Sequence, residues 1–422
     1  MIGKKMHLIS YGFLLFVFLS FEINAQTRYA NARSMGVAGA YGAVARGFES
    51  TAWSPANLGL SDNPNTSFHF LSLGVGVQNN AFSIGDYKEY NGKYLTDSDK
   101  RNILDKIPDD GIGAFGNFGT DIFGISINNF AFSVSAGAAS SLHFAKEFVD
   151  LAFYGNALDQ VYDLSNTRGA AFGFSKFSFS YGRPIKVDLF KEFSVGGTFH
   201  YIRGLGYAEV LRSNSSVATT LDGIEVLSEM ELRTALGGNG FAFDLGCAAQ
   251  IDKNIGVSFS LDNLGSIKWT NEVKIYRYGA SADSLTAEKI SETDSDSLFD
   301  DYDEELDGKD FSSSMPAKMR VGSLYKTRAY IFSADYIQGF SDKPGVSTTP
   351  QMAFGMEYMG FHFLPLRVGF AVGGDESFLS ALGFGLKFGS FSMNIATLAH
   401  QSLFPGLGSG MGFAFDMKVG TR

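Results

Sequence analysis

The chain has 422 residues, 18% of them charged and 14% aromatic, with 50 Gly, 41 Phe, only 9 Pro and a formal net charge of −10. That charge argues against a nucleic-acid partner, because phosphate binding needs a basic surface. The charged fraction also falls short of the roughly 25% usual in water-soluble domains, which an apolar outer band around a small-residue, polar lumen accounts for.

In chain order, the first 25 residues read as a secretory signal peptide. Lys4 and Lys5 give a positive start, Leu8 to Phe21 an apolar run, and Ile23-Asn24-Ala25 a small-residue cleavage site that leaves Gln26 first. The apolar run is shorter than the roughly 20 residues of a membrane span. With no Cys near the cleavage site, no lipoprotein anchor is expected. Cys247 is the only Cys, so no internal disulfide can form, and its place near Leu245 and Ala249 fits an apolar wall position. Residues 26–64 form a second unit. Within it Ala32–Leu60, ARSMGVAGAYGAVARGFESTAWSPANLGL, is rich in Gly and Ala and fits neither a plain helix nor a plain strand. We read it as a plug in the mouth of a barrel built from residues 65–422.

The remainder alternates with a period of two, the signature of strands with two different faces. In the last strand Met411, Phe413, Phe415, Met417 and Val419 alternate with Gly412, Ala414, Asp416 and Lys418. Leu366, Val368, Phe370 and Val372 likewise alternate with Arg367, Gly369 and Ala371, and Phe241, Phe243 and Leu245 with Ala242, Asp244 and Gly246. The second face is mostly Gly, Ala and Ser with scattered charges, as a lumen requires. Strands are predicted at 66–78, 112–127, 130–141, 168–183, 190–220, 223–251, 254–279, 313–326, 328–341, 348–361, 364–375, 378–389, 391–402 and 409–420. They number about fourteen, the even count of a bacterial single-chain barrel. The fold class is therefore all-β, a transmembrane antiparallel β-barrel with an N-terminal plug and short helices in the extracellular insertions.

Connections are short near Asn128-Asn129, Asp252-Lys253, Thr327, Phe363 and Gly389-Ser390, and long at 79–111, 142–167 and 280–312. Short periplasmic turns and long outer loops give this asymmetry, and it places the C-terminus on the periplasmic side. Helices are expected over Lys100–Ile107, capped from Thr96-Asp97-Ser98-Asp99, and within Phe144–Ala157. The strand at 168–183 breaks phase between Phe172/Phe174 and Phe177/Phe179/Tyr181. Either a bulge near Ser175-Lys176 or a change of environment beyond the bilayer explains it.

No HExxH, CxxC pair or GxSxG elbow is present, so no enzyme, metal site or cofactor is expected. Gly111–Gly116, GIGAFG, lacks the strand-then-helix context of a dinucleotide loop. His200 and His400 fall on lumen positions as polar wall residues. The acidic stretch Asp294–Asp310 reads as a solvated outer loop rather than a calcium site. Charges of lumen parity are mixed in sign: Asp244, Asp262, Asp335, Glu357 and Asp416 against Arg320, Arg367, Lys387 and Lys418. Balanced signs suit cross-links that hold a wall and a plug more than a selectivity ring.

Ala32-Arg33-Ser34-Met35-Gly36, Gly39-Ala40-Tyr41 and Trp53-Ser54-Pro55-Ala56-Asn57-Leu58 together resemble the N-terminus of the FadL-like outer-membrane long-chain fatty-acid transporter superfamily. Ser54 stands where that family has Asn. Ala45-Arg46-Gly47 and Pro55–Leu60 look closer still to an uncharacterised Bacteroidota branch of such barrels. The resemblance implies a barrel of fourteen strands in the Gram-negative outer membrane, closed by an N-terminal hatch. It also implies passive uptake of a hydrophobic, fatty-acid-like small molecule, which leaves through a wall opening or after hatch movement. The candidate hatch and ligand residues are Arg33, Met35, Gly36, Gly39, Arg46, Ser54, Pro55 and Asn57, with Arg33 and Arg46 expected to latch onto lumen carboxylates. Expected partners are outer-membrane lipid and the hydrophobic molecule, and the barrel is expected to be a monomer. The alternative is a plugged barrel acting as scaffold for a protein partner in secretion or surface attachment, as the same architecture serves in type IX secretion.

Overall fold

The computed structural model describes residues 31–292, 298–342, 346–374 and 377–421; the expected signal peptide lies outside them. The N-terminal segment holds two one-turn helices, α1 (Ala32–Met35) and α2 (Ser50–Trp53), with 3-10 turns at Gly47–Glu49 and Pro55–Gly59. The strands that follow are β1 (Thr66–Asn79), β2 (Ile112–Ile127), β3 (Phe130–Phe144), β4 (Val161–Asp163), β5 (Arg168–Ile185), β6 (Glu192–Thr220), β7 (Gly223–Ala235), β8 (Gly238–Gln250), β9 (Ile255–Trp269), β10 (Lys274–Leu285), β11 (Asp300–Asp307), β12 (Phe311–Ser314), β13 (Lys318–Lys326), β14 (Tyr330–Gly339), β15 (Gln351–Tyr358), β16 (Leu366–Gly373), β17 (Phe378–Phe388), β18 (Phe391–His400) and β19 (Gly410–Thr421).

Fourteen of them close one antiparallel ring, β1-β2-β3-β5-β6-β8-β9-β13-β14-β15-β16-β17-β18-β19, with β19 paired back to β1. Closure leaves the ring no free edge, so every wall strand has a neighbour on both sides, as a span through hydrocarbon demands. No helix among the described residues is long and apolar enough to cross a membrane. The predicted faces hold: Leu366, Val368, Phe370 and Val372 are exposed on the outside, while Arg367, Gly369 and Ala371 are buried inside. Aromatic pairs near the short turns, Phe130–Tyr181 at 4.7 Å and Tyr330–Tyr358 at 5.0 Å between ring centres, form part of an interfacial girdle.

The long-loop end departs from expectation. The predicted strand 223–251 is two, β7 and β8, reversing at Leu236-Gly237, and 254–279 is also two, β9 and β10. β6 runs for 29 residues, far beyond the roughly 10 that a tilted spanning strand needs. Its outer part carries β4 on one side and β7 on the other, and β10 and β11 extend that sheet outwards. The acidic stretch is therefore no plain loop. Asp300–Asp307 is β11, paired with β10, where Lys274 bonds Asp307 at 2.8 Å and Glu305 at 3.0 Å; residues 294–297 lie outside the described ones. Cross-strand charge pairing overrides the low strand propensity of Asp and Glu.

The insertion after β1 contains α3 (Ile84–Tyr90), which was not expected, and α4 (Asp97–Lys106). Ser83–Asp86 and Thr96–Asp99 each form a capping box. The expected helix within Phe144–Ala157 is shorter, α5 (Glu147–Tyr154), and ends at Gly155, whose φ is +72°. No bulge occurs at Ser175-Lys176, because β5 keeps one register with β3 throughout. The extra residue is Leu205 on β6, skipped between the pairs Phe174↔Gly204 and Gly173↔Gly206. Phe172 and Phe174 simply face inwards at the outer end. There Phe174 is buried with Ile202, Ile267, Trp269 and Met315, and Phe172, Tyr207 and Phe311 pack against that core. Gly111–Gly116 runs into β2, which is followed by β3 and not by a helix.

Candidate functional site

The ring encloses the N-terminal segment. A Cβ added at Gly196 would lie 2.5 Å from the Ala56 nitrogen, at Gly182 2.7 Å from the Gly59 nitrogen, at Gly322 2.8 Å from the Ala43 nitrogen, and at Gly369 2.6 Å from the Ala38 nitrogen. These glycines lie on the lumen face of β6, β5, β13 and β16. Their lack of a side chain lets the plug backbone lie directly on the wall. The plug turns away from β16 through Ala38 and Gly39, with φ of +54° and +86°.

Polar bonds fasten the plug around the ring. Asn31 caps α1 through Ser34 N and donates to Glu49 at 2.6 Å. The Ala32 amide donates to Asp416 at 2.8 Å, and Asn394 holds the other oxygen of Asp416 at 2.7 Å. Arg33 bonds Glu357 through Nε at 3.0 Å and Nη2 at 2.8 Å, and Tyr41 through Nη1 at 3.2 Å. Arg367 reaches the second oxygen of Glu357 at 3.0 Å. The Gly42 amide donates to Asp335 at 2.8 Å, and Arg320 stacks 4.0 Å from the Trp53 ring while lying 3.8 Å from Asp262 and 3.7 Å from Asp335. Thus mixed-sign lumen charges do cross-link wall and plug.

The remaining candidate residues fall as follows. Met35 is fully buried in the apolar contact between the plug and β17, β18 and β19, beside Leu379 and Leu398. Gly36 abuts Gly383 of β17. Ser54 and Pro55 lie against Gly246. Asn57 donates to the carbonyls of Gly42 at 2.9 Å and Ala45 at 3.0 Å, tying the two halves of the plug together. Arg46 does not latch onto the wall. It pairs with Asp62 at 2.6 Å and with the carbonyls of Ala43 and Ala45, so it stiffens the exit of the plug towards β1. Lys387 keeps its lumen parity but sits at the open short-turn end, where it is exposed rather than bonded to the plug.

Sequence reasoning missed Glu49, although it is the only carboxylate between Asn31 and Ser61. It accepts from Asn31, from Tyr41 at 2.8 Å and from Lys418 at 2.6 Å. Burial alone would raise its pKa, but Lys418 and Arg33 outweigh burial and hold it at about 2. A depressed carboxyl contributes stability that is complete above its ordinary range near 4.5 and is lost progressively as pH falls from there through about 2. The plug is therefore expected to stay seated in detergent at pH 4, with Trp53 emission unchanged, and to loosen as pH approaches 2. A transition centred near pH 4.5 would contradict this anchoring.

A second missed cluster joins three wall strands. Ser178 lies 2.7 Å from His200 Nδ1, and His200 Nε2 lies 2.8 Å from Asp244. The order resembles an acyl-transfer relay. Ser178, however, is paired in register with both Ser133 and His200, so ladder bonds take up the neighbouring amides and none forms an oxyanion pocket. The cluster acts as a polar cross-link between β5, β6 and β8.

Between plug and wall lies a cavity of about 50 Å³, room for a few waters, lined by Glu49, Trp53, Thr120, Asp121, Lys176 and His200 among others. On its β2 side, at Gly119 to Asp121, it adjoins a break in the wall. The β1–β2 ladder stops at His69↔Gly124 and resumes at Gly74↔Gly119. Each strand carries an extra residue there against its other neighbour, Phe70 on β1 and Ile122 on β2, both half-exposed outside. Side chains stand in for the missing bonds: Thr120 Oγ1 donates to the Ser72 carbonyl at 2.6 Å, the Asp121 amide donates to Ser72 Oγ at 2.8 Å, and His69 Nε2 lies 3.2 Å from the Asp121 carbonyl.

A ring of fourteen antiparallel strands threaded by its own N-terminal segment has the fold of the FadL-like outer-membrane barrels. It is similar to the toluene transporter TodX of P. putida at 9% identity, with a TM-score of 0.54 over 94% of this chain and 100% of that one. It is also similar to the toluene transporter TbuX of Ralstonia pickettii at 13% identity, with a TM-score of 0.52 over 92% and 98%. The chain belongs to the family described as "Family of unknown function (DUF5723)", whose model matches residues 61–235 and 220–399. No curated protein matches its sequence.

Proposed function

We propose that the protein is a monomeric outer-membrane channel for passive uptake of a hydrophobic, fatty-acid-like small molecule, with the plug as its hatch. The observation that carries this reading is the β1–β2 ladder break. Its β2 side, Gly119, Thr120 and Asp121, lines the lumen cavity, which the plug borders with Glu49 and Trp53. A molecule in the lumen needs only side-chain bonds to part there, and Phe70 and Ile122 offer it an apolar route into the bilayer. The arrangement is the closed state: plug and aromatic cluster fill the lumen, and the cavity opens as the hatch shifts. In this reading Arg33 latches the hatch, Arg46 and Asn57 keep it in one piece, and Met35, Gly36, Gly39, Ser54 and Pro55 seat it.

Cross-linking the break tests the route. Leu71→Cys and Ile122→Cys, in a Cys247→Ser background, are joined by a short bismaleimide. Uptake of radiolabelled palmitate or toluene is expected to fall to background on cross-linking, while the singly substituted barrels transport normally with the same reagent. Uptake that persists through the cross-linked barrel would falsify the lateral route.

A scaffold role is the second reading, favoured by the filled lumen and by the sheet that β6, β7, β10 and β11 raise beyond the ring. A stoichiometric protein partner, with no uptake by the unmodified barrel, would decide for it.

A further inference from the structure

At the short-turn end, plug and wall leave an open recess of about 680 Å³. Its walls carry Arg33, Arg46, Lys387 and Lys418 with His362, against the single carboxylate Glu49. This local charge is opposite to that of the chain as a whole, at −10. Counting partners sharpens the contrast. Arg46 is matched by Asp62 and Lys418 by Glu49, whereas Arg33 and Arg367 share the one carboxylate of Glu357. Asp416, close by, spends its oxygens on the Ala32 amide and on Asn394. Arg367 is buried with Nε and Nη1 lacking an acceptor. Lys387 is exposed and has no carboxylate partner among the described residues. Lys387 is thus left on the wall of the recess without a carboxylate of its own, and behind it the buried Arg367 keeps two nitrogens without an acceptor.

The level of the recess narrows what fits it. It is bounded by the Gly389-Ser390 turn and by Phe363. Phe388, on the outward side of β17, and Phe363, in the adjoining turn, are both well exposed, as apolar anchors are at a membrane interface. The recess therefore opens where inner-leaflet headgroups lie.

We infer that this recess is an oxyanion site, taking the phosphate of an anionic amphiphile's headgroup or free phosphate, with Lys387 as its first contact. An oxyanion seated there competes with Glu49 for Lys418 and with Glu357 for Arg33. If the plug is the hatch proposed above, the occupant loosens it from the periplasmic side.

The test uses the full-length barrel in neutral detergent and isothermal titration with inorganic phosphate, dihexanoylphosphatidic acid and dihexanoylglycerol. Saturable binding of at least one phosphate-bearing probe is expected, with none of dihexanoylglycerol. Lys387→Gln is expected to weaken binding by about tenfold, the loss of one hydrogen bond to a charged group. Lys387→Arg is expected to keep most of the affinity, and Arg183→Gln, elsewhere on the same rim, to change nothing. Binding of inorganic phosphate assigns the site to the free ion; binding of the lipid alone assigns it to the headgroup. Absence of saturable binding, equal affinity after Lys387→Gln, or equal binding of dihexanoylglycerol overturns the inference. Because binding is read directly, it separates from the uptake reading. A barrel that transports but does not bind removes this site alone, and one that binds but does not transport removes the channel and keeps the site.

Discussion

Gly369→Val is expected to unseat the plug and turn a silent barrel into a conducting one. A Cβ there meets plug backbone, 2.6 Å from the Ala38 nitrogen and 2.7 Å from the Val37 Cα. Backbone cannot swing aside as the end of a long side chain can. The wall cannot retreat either, because β16 is paired along its length to β15 and β17. The yielding part is the plug, at a cost of about 1–3 kcal/mol for overpacking before any further relaxation. In planar bilayers the wild type should be quiet and Gly369→Val should show sustained current. Heat-modifiable migration on gels should show that the ring itself still closes. Val368→Leu, one residue away on the lipid side, should leave the barrel silent. A folded Gly369→Val barrel without current would mean that the segment does not seal the lumen.

The second large effect is expected at Glu357. Removing its charge with Glu357→Gln leaves Arg33 and Arg367 facing each other with no anion between them. Breaking one member of a buried ion network in this way costs about 3–5 kcal/mol, far more than the network contributes over an apolar replacement. Urea unfolding in detergent should show this as a lowered midpoint, and protease should reach the plug in the folded barrel. Arg33→Met combined with Glu357→Gln should recover part of the loss, since one of the two stranded cations is gone. Equal midpoints for wild type and Glu357→Gln would show that the guanidinium groups find water instead.

The wall was legible because its code is local. In β16 the alternation of Leu366, Val368 and Phe370 with Arg367, Gly369 and Ala371 states both faces without reference to any other strand. The outer sheet was not legible, for two reasons. The reversals at Leu236-Gly237 and at 270–273 carry Gly and Asn, but in a chain this rich in Gly such residues mark lumen as often as turn. The strand at Asp300–Asp307 depends on the cations of β10, which lie on a different segment. The latch was half legible: Arg33 stood out in its motif, and Glu357 and Arg367 shared lumen parity on adjacent strands, so a contact was foreseeable. Arg46 misled because its carboxylate lies within the same unit, at Asp62. The glycines that touch the plug, the break between β1 and β2, and the Ser178–His200–Asp244 chain are set by how the ring closes. Each joins residues far apart in sequence, and no single strand announces them.

The length of β6 has a mechanical consequence. One unbroken strand leads from Gly196, pressed against the plug at Ala56, out to Thr220 in the sheet beyond the ring. A pull on that sheet acts along the strand, and so loads the bonds to β5 and β8 side by side rather than peeling them one after another. Tension on the outer sheet would therefore reach the seat of the plug along one continuous strand, against bonds that share the load.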